Sequence, residues 1–239
     1  MGISARKERE KQHRRDTILA AARELFFEKG YRTTMEEIAA RAELSKGTLY
    51  LYFNSKDELY ISVIMEGFRI LEERIDGALK GVKGAERRVK AVYYAFIDHC
   101  LENREYFRIT QYFLTEDARR NTSGELVATV NRYSGKILER GADIIQEGID
   151  AGDFREDLDA AALALIVWRM STGILDLAVL GDGLGQGVGI GRELFDMAVE
   201  VILAGIGKRS ALKDERSRSM AAEQDTGVGP GRWETGVRS

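Results

Sequence analysis

The chain has 239 residues, 44% of them hydrophobic, which is enough for one large domain or two smaller ones. The 36 basic and 39 acidic residues leave a net charge of only -3, and the single proline excludes a proline-rich linker protein and leaves long helices uninterrupted. One cysteine, Cys100, excludes an intrachain disulfide framework and fits a reducing cytoplasm. The first 17 residues are too charged for a secretory signal. The longest apolar run, Ala160 to Trp168, stops at Arg169 and is too short for a bilayer. Composition therefore points to a cytoplasmic, mostly helical protein without a membrane partner.

Charge is unevenly spread. Residues 1–60 carry 12 Lys/Arg and 10 Asp/Glu, a net of +2, and the remainder carries a net of -5. Within the first fifteen residues Arg6, Lys7, Arg9, Lys11, Arg14 and Arg15 face only Glu8 and Glu10. Such a stretch reads as a flexible basic arm, able to neutralise phosphates and release counterions from DNA, or else as an inert solvated tail.

From Asp16 onward, Ile18, Leu19, Ala22, Leu25 and Phe26 recur at helical spacing, and Gly30 suits the left-handed end of that helix. Thr34 and Glu37 form a capping box that opens a second helix burying Met35, Ile38 and Ala39 and running to about Ala42. Ser45 caps a third helix through Tyr50, and Ser55 with Glu58 opens a fourth through about Leu79. Two short helices joined by a tight turn and braced on both sides predict a helix-turn-helix.

The stretch Ile18 to Leu59 resembles the DNA-binding domain of the TetR/AcrR family of transcription regulators. The residues that carry the likeness are Ile18–Ala22, Leu25-Phe26, Lys29-Gly30-Tyr31, Thr33-Thr34, Ile38-Ala39, Ser45–Tyr50, Tyr52-Phe53 and Ser55-Lys56. In a helix-turn-helix the second helix enters the major groove and its first residues reach base edges. Here Lys46 is placed to donate to guanine O6 and N7, Gly47 to let the backbone approach, and the Thr48 methyl to meet a thymine methyl. The resemblance assigns phosphate contacts to Tyr50, Tyr52 and Lys56 and backbone contacts to Thr33 and Thr34, with Ser45 at the helix start. The recognition helix lacks Arg, Asn and Gln, so part of any sequence preference is expected from DNA shape and the basic arm.

Beyond Leu79 five further amphipathic segments follow: about Ala85 to Glu102, Arg104 to Thr115, Ser123 to Ala151, Leu158 to Leu180 and Ile190 to Gly207. The expected fold class is all-α: an N-terminal helix-turn-helix domain (1–60), a helical regulatory and dimerisation bundle (61–208) and a disordered tail (209–239). The resemblance implies a homodimer joined through the last two long helices. Ala160–Val167 is apolar nearly all round, and Phe195, Ala198, Val199, Val201, Ile202 and Ile206 supply a second face. A single short recognition helix also calls for a symmetric partner. Aromatics cluster in this half, and the family places small-molecule effectors there. Phe96, Phe107, Phe113 and Trp168 are candidate pocket walls for an apolar or aromatic ligand, with Arg108 or Tyr112 as polar orienter, against the plain alternative that all are core.

Other features argue against chemistry. His99-Cys100 lacks further ligands for a metal and reads as buried or satisfied. The alternating glycines from Gly181 to Gly191 form a loop without a nucleotide-binding fingerprint, and no Walker motif occurs. Asp153, Glu156, Asp157 and Asp159 read as a helix start. No catalytic set is assignable and no cofactor is expected, so the chain is read as a non-enzyme. Its expected partners are double-stranded DNA carrying an inverted repeat, a second copy of itself and a small-molecule effector. The leading function is a ligand-responsive transcriptional repressor. A ligand-independent architectural, nucleoid-type DNA-binding protein is the alternative.

Overall fold

The computed structural model describes residues 3–120, 122–179 and 191–208, with the side chains of Ile3 and Ser4 left aside. The glycine-rich stretch 180–190 and the tail 209–239 lie outside the described residues, as do the expectations placed on them.

All described regular structure is helical: α1 (Ile3–Lys29), α2 (Met35–Arg41), α3 (Lys46–Tyr50), α4 (Lys56–Leu79), α5 (Ala85–Glu102), α6 (Arg104–Leu114), α7 (Glu116–Arg120), α8 (Gly124–Asp150), α9 (Ala160–Val179) and α10 (Arg192–Ile206). The first four correspond to the capping signals. Gly30 has φ of 64° where α1 ends, a conformation that a side chain disfavours. Thr34 and Glu37 form the full reciprocal box: the Glu37 amide donates to the Thr34 hydroxyl at 3.2 Å and the Thr34 amide to the Glu37 carboxylate at 2.9 Å. The expected box at Ser55 is split. Its hydroxyl accepts from the Glu58 amide at 3.1 Å, but the Glu58 carboxylate turns to the Asn54 amide at 2.8 Å.

Two expectations are corrected. The basic N-terminal stretch is not a flexible arm; it is the first half of α1, continuous with the packed half that begins near Ile18. Ion pairing of Arg14 with Glu10 and a Gln12–Asp16 hydrogen bond, each one turn apart, support the helix there. The length read from the apolar run Ala160 to Trp168 is corrected too: the helix expected over Leu158 to Leu180 carries apolar character past Arg169, and α9 is, by length and composition alone, long and apolar enough to cross a membrane. It includes Arg169 and Asp176 and packs along one side on α5, α8 and α10.

The core has two main parts. Ile18, Ala22, Leu25, Phe26, Ile38, Leu49, Phe53 and Leu59 form the first, and Tyr106, Ile109, Phe113 and Val130 from beyond the helix-turn-helix join it. Residue 60 lies inside α4, and packing continues across it. The second part gathers Val89, Tyr93, Ile97, Phe107, Ile144, Ile145, Leu175, Phe195, Val199 and Ile206. After α8 the chain turns tightly, and Phe154 pairs with Gly207, with the Arg155 amide donating to the Ile206 carbonyl at 2.9 Å. That strap fixes the ends of α8 and α10 together. Gly148 is required there, because a Cβ would overlap the Phe154 ring and approach the Ala85 Cβ to 2.6 Å.

Candidate nucleic-acid interface and effector cavity

The turn between α2 and α3 is set by polar caps and a small buried core. Glu43 adopts φ of 56°, the only non-glycine residue with positive φ among the described residues, which reverses the chain in three residues. Ser45 then caps α3: its hydroxyl accepts from the Thr48 amide at 3.1 Å and lies 2.8 Å from the Thr48 hydroxyl. Leu49 is fully buried and anchors the helix, so Ser45, Lys46, Gly47 and Tyr50 face outward. A side chain at Gly47 would meet nothing nearer than the Ser45 hydroxyl at 3.9 Å, so internal packing does not require the glycine. Its absent side chain instead leaves the outer surface low.

Lys46 forms an ion pair with Glu36 at the start of α2. The carboxylate's hydrogen bond raises the Lys46 pKa, and the same bond lowers that of Glu36. Both groups are exposed, so the pair contributes little and is readily exchanged for a nucleic-acid acceptor. Lys29 similarly holds Glu37, whose pKa falls to about 2 through that hydrogen bond and those from Thr34. Tyr50 and Leu51 are exposed at the end of α3, and Tyr52 is half-buried.

Three further residues behave differently from the sequence expectation, or were missed. Thr33 is fully buried, and its hydroxyl donates to the Leu25 and Gly30 carbonyls, each at 3.0 Å. It ties the end of α1 to the start of α2 and presents no group to DNA. Lys56 is half-buried; its ammonium donates to the Tyr31 carbonyl at 2.8 Å and sits 3.9 Å from the Tyr31 ring centre. An ammonium has three protons, so donation outward remains open. Arg15, counted in sequence only as part of the basic arm, lies 4.1 Å over the Phe53 ring and donates to the Tyr52 carbonyl at 3.0 Å. This contact brings α1 against the exit of the recognition helix. Lys11 and Lys7 stand one and two turns before Arg15 and are exposed on the same helical side.

In the second half of the molecule α4, α5, α6, α8 and α9 enclose a cavity of about 130 Å3. Phe96, Phe107 and Trp168 line it, together with Phe68, Tyr93, Val92 and Ile144. The other three expected ligand residues do not. Arg108 points away from the cavity, bonded to the Phe27 carbonyl and the Glu105 carboxylate. Tyr112 stacks on Tyr31 with ring centres 5.6 Å apart, and Phe113 is buried in the core of the N-terminal helices. The reason is helical phase. Phe107, Thr110, Gln111 and Leu114 share the cavity side of α6, and Tyr106, Ile109 and Phe113 share the other.

That second side of α6 meets α1 and α4. The Tyr60 hydroxyl donates to the Ile109 carbonyl at 3.0 Å, and Tyr106 packs edge-on against Phe27 with centres 4.9 Å apart. Burial, reinforced by Glu66, raises the Tyr106 pKa to about 12, and burial raises that of Tyr60 as well. Gly67 of α4 permits the approach, since a Cβ there would fall 2.8 Å from the Tyr106 ring. Arg23 of α1 and Glu66 of α4 close the contact with an ion pair at 2.6 Å.

His99 is buried, and burial with the nearby Arg74 lowers its pKa to about 4. Its Nδ1 has no hydrogen-bond partner among the described residues, so it is buried but not fully satisfied. Cys100 is buried too, and burial raises its thiol pKa. Among the described residues no group of three or more His, Cys, Asp or Glu side chains is placed to hold a metal ion. Asp159 caps α9 by accepting from the Ala162 amide at 3.0 Å, in keeping with a helix start.

Of the two helices that the sequence reading assigns to a homodimer, α9 exposes Ala161, Ala162, Leu165 and Ile166, and α10 exposes Met197, Val201 and Ala204. Of the six α10 residues expected on that face, Phe195, Val199 and Ile206 instead turn inward to the protomer core. Spacing alone did not distinguish the two sides of a helix that is apolar on both.

Comparison with known proteins bears directly on this arrangement. Residues 18–63 match the bacterial regulatory proteins of the tetR family. The chain is 30% identical over 181 residues to the HTH-type transcriptional regulator YfiR of Bacillus subtilis, covering 72% of this chain and 83% of that one. It is 28% identical over 151 residues to the HTH-type transcriptional repressor KstR2 of Mycolicibacterium smegmatis, covering 61% and 70%. The structure of the transcriptional regulator FadR from Bacillus subtilis, in complex with stearoyl-CoA, superposes with a TM-score of 0.66 at 25% identity, covering 80% of this chain and 98% of that one. The exposed recognition helix, its caps and the helical half behind it are thus those of a known group, and this chain belongs to the TetR family of bacterial transcription regulators.

Proposed function

We propose that this protein is a ligand-responsive repressor that binds an inverted-repeat operator as a homodimer in the bacterial cytoplasm. One observation carries the reading: the eleven-residue helix α6 lines the cavity with one side and docks on α1 and α4 with the other. Occupancy of the cavity acts on Phe107, Thr110, Gln111 and Leu114, and α6 passes any displacement through Tyr106 and Ile109 to the helices that carry α3. A ligand releases DNA only to the extent that it binds the non-DNA-binding arrangement more tightly, so the coupling is a difference of affinities.

In the DNA-bound state Lys46, Gly47 and Thr48 face base edges, and Thr34, Ser45, Tyr50, Tyr52 and Lys56 lie along the phosphates. The helical extension of α1 adds Lys7 and Lys11. The exposed apolar stripes of α9 and α10 form the twofold interface, with alanines allowing close approach. Two recognition helices then reach successive major grooves about 34–36 Å apart, or a multiple of that. A relative solved with stearoyl-CoA supports an effector with a substantial apolar part. Nothing favours the ligand-independent architectural alternative.

Selection from a random duplex pool at near-physiological salt tests the first half of this reading. An enriched inverted repeat is expected; binding without enrichment would favour an architectural role, and no binding would overturn the DNA-binding reading. A reporter carrying the selected repeat is expected to fall on expression of the protein, and a rise would make it an activator.

A further inference from the structure

The hydroxyl and carboxamide side chains of the cavity divide into two sets. Tyr93, Ser171 and Thr172, from α5 and α9, already donate to backbone carbonyls: Tyr93 to Phe195 at 2.9 Å, Ser171 to Val167 at 2.7 Å and Thr172 to Arg169 at 3.0 Å. Thr110 and Gln111 from α6 and Ser134 from α8 make no side-chain hydrogen bond to any described residue. The cavity therefore has one wall whose hydroxyl protons are already committed and another that offers open donors and acceptors. No charged side chain lines it.

Each fact constrains the occupant. A carboxylate or ammonium entering this space would lose its hydration and find no counter-charge. A pure hydrocarbon covering Gln111 would strand an amide that needs partners. We propose that the buried part of the effector is uncharged: an apolar body carrying one neutral oxygen function, such as an ester, thioester, ketone or alcohol, received by Gln111, Thr110 and Ser134. The body lies against Phe96, Phe107 and Trp168. Any charged portion of the molecule stays outside the cavity. Because Thr110 and Gln111 belong to α6, the same hydrogen bonds that select the ligand also act on the helix that docks against α1 and α4. This inference rests on the effector-cavity reading given above.

The test uses the full-length chain with Trp233→Phe, so that Trp168, on the cavity wall, is the only tryptophan and its emission reports occupancy. The probes are ethyl octanoate, octanoate, octylammonium, octane and the rigid neutral diketone androst-4-ene-3,17-dione. At pH 7 the ester or the diketone is expected to bind at least tenfold more tightly than octanoate or octylammonium, and which of the two neutral probes wins distinguishes a chain from a ring system. Gln111→Leu is expected to weaken the winning neutral probe about tenfold and to tighten octane, because the amide that a hydrocarbon would strand is gone. Ser171→Ala, which removes a hydroxyl already used by the backbone, is expected to preserve the preference. Octanoate binding as tightly as the ester and the diketone, or a Gln111→Leu variant with unchanged affinity for the winning probe, would overturn the proposal. If no probe perturbs Trp168 while the protein still selects an operator, the effector-cavity reading itself falls and this inference with it.

Discussion

The two halves of the molecule display their working surfaces in opposite ways. The DNA-binding half carries its surface on the outside of two short helices whose ends are written in local residues: Thr34 with Glu37, Ser45 with Thr48, and the reversal at Glu43. The second half instead surrounds a space, bounded by five helices that meet only after folding. Local signals of a few residues suffice for the first. The second depends on which side of each helix faces inward, and apolar residues on both sides leave that choice to packing. Perturbations of the two halves should therefore differ in kind, and four of them sharpen the contrast.

The largest effect is expected at the uncovered apolar stripes. Ile166→Glu combined with Val201→Glu places charge on two side chains that are 59% and 67% exposed in the protomer. The fold should persist by circular dichroism, with a monomer in sedimentation and operator binding lost. A dimer of unchanged strength would remove α9 and α10 from the interface.

Gly148→Ala comes next. The added methyl overlaps the Phe154 ring and Ala85, and overpacking of this kind costs about 1–3 kcal/mol. For a chain of this size that lowers the melting midpoint by about 2–4 °C per kcal/mol. An unchanged midpoint would mean that the strap between α8 and α10 gives way without penalty.

Lys46→Ala tests the other half, where stability should hardly move because the Lys46–Glu36 pair is exposed. Operator affinity should fall by about 1–3 kcal/mol, with selectivity relaxed at one position of each half-site. A uniform loss over all sequences would make Lys46 a phosphate contact instead.

The smallest and most specific effect concerns His99. Its pKa is lowered in the folded state to about 4 from the ordinary 6.5, so between those values the unfolded chain binds the extra proton. Stability contributed by neutral His99 is present above pH 6.5 and is lost as pH falls toward 4. Glu37 follows the carboxylate rule at lower pH, losing its contribution from the ordinary 4.5 down to about 2. Melting midpoints measured from pH 7 to 4 should fall for the native chain and fall less for His99→Phe. Parallel curves would show that another group governs this range.

Much of this architecture was legible in the residues. The all-helical class, nearly every helix boundary after Gly30, the capped helix-turn-helix and the outward position of Lys46, Gly47 and Tyr50 follow from caps and periodicity within one or two turns of chain. So does the presence of Phe96, Phe107 and Trp168 in the regulatory half, although not that they share a wall. What went astray did so for physical reasons. The basic arm is helical because spaced Arg, Lys and Glu side chains support a helix that α1 has already nucleated, and charge density alone does not distinguish that from a free tail.

Sequence by itself determined where the chain turns and which helix is exposed to read DNA, since those depend on caps, glycines and a narrow apolar stripe. Only the tertiary structure decided that Thr33 is buried between two carbonyls, that Arg15 lies over Phe53, and that Arg108, Tyr112 and Phe113 leave the cavity for the contact between the halves. Each of these is fixed by a partner at least eight residues away, or by the phase of one helix against two neighbours at once. Local spacing carries no record of either.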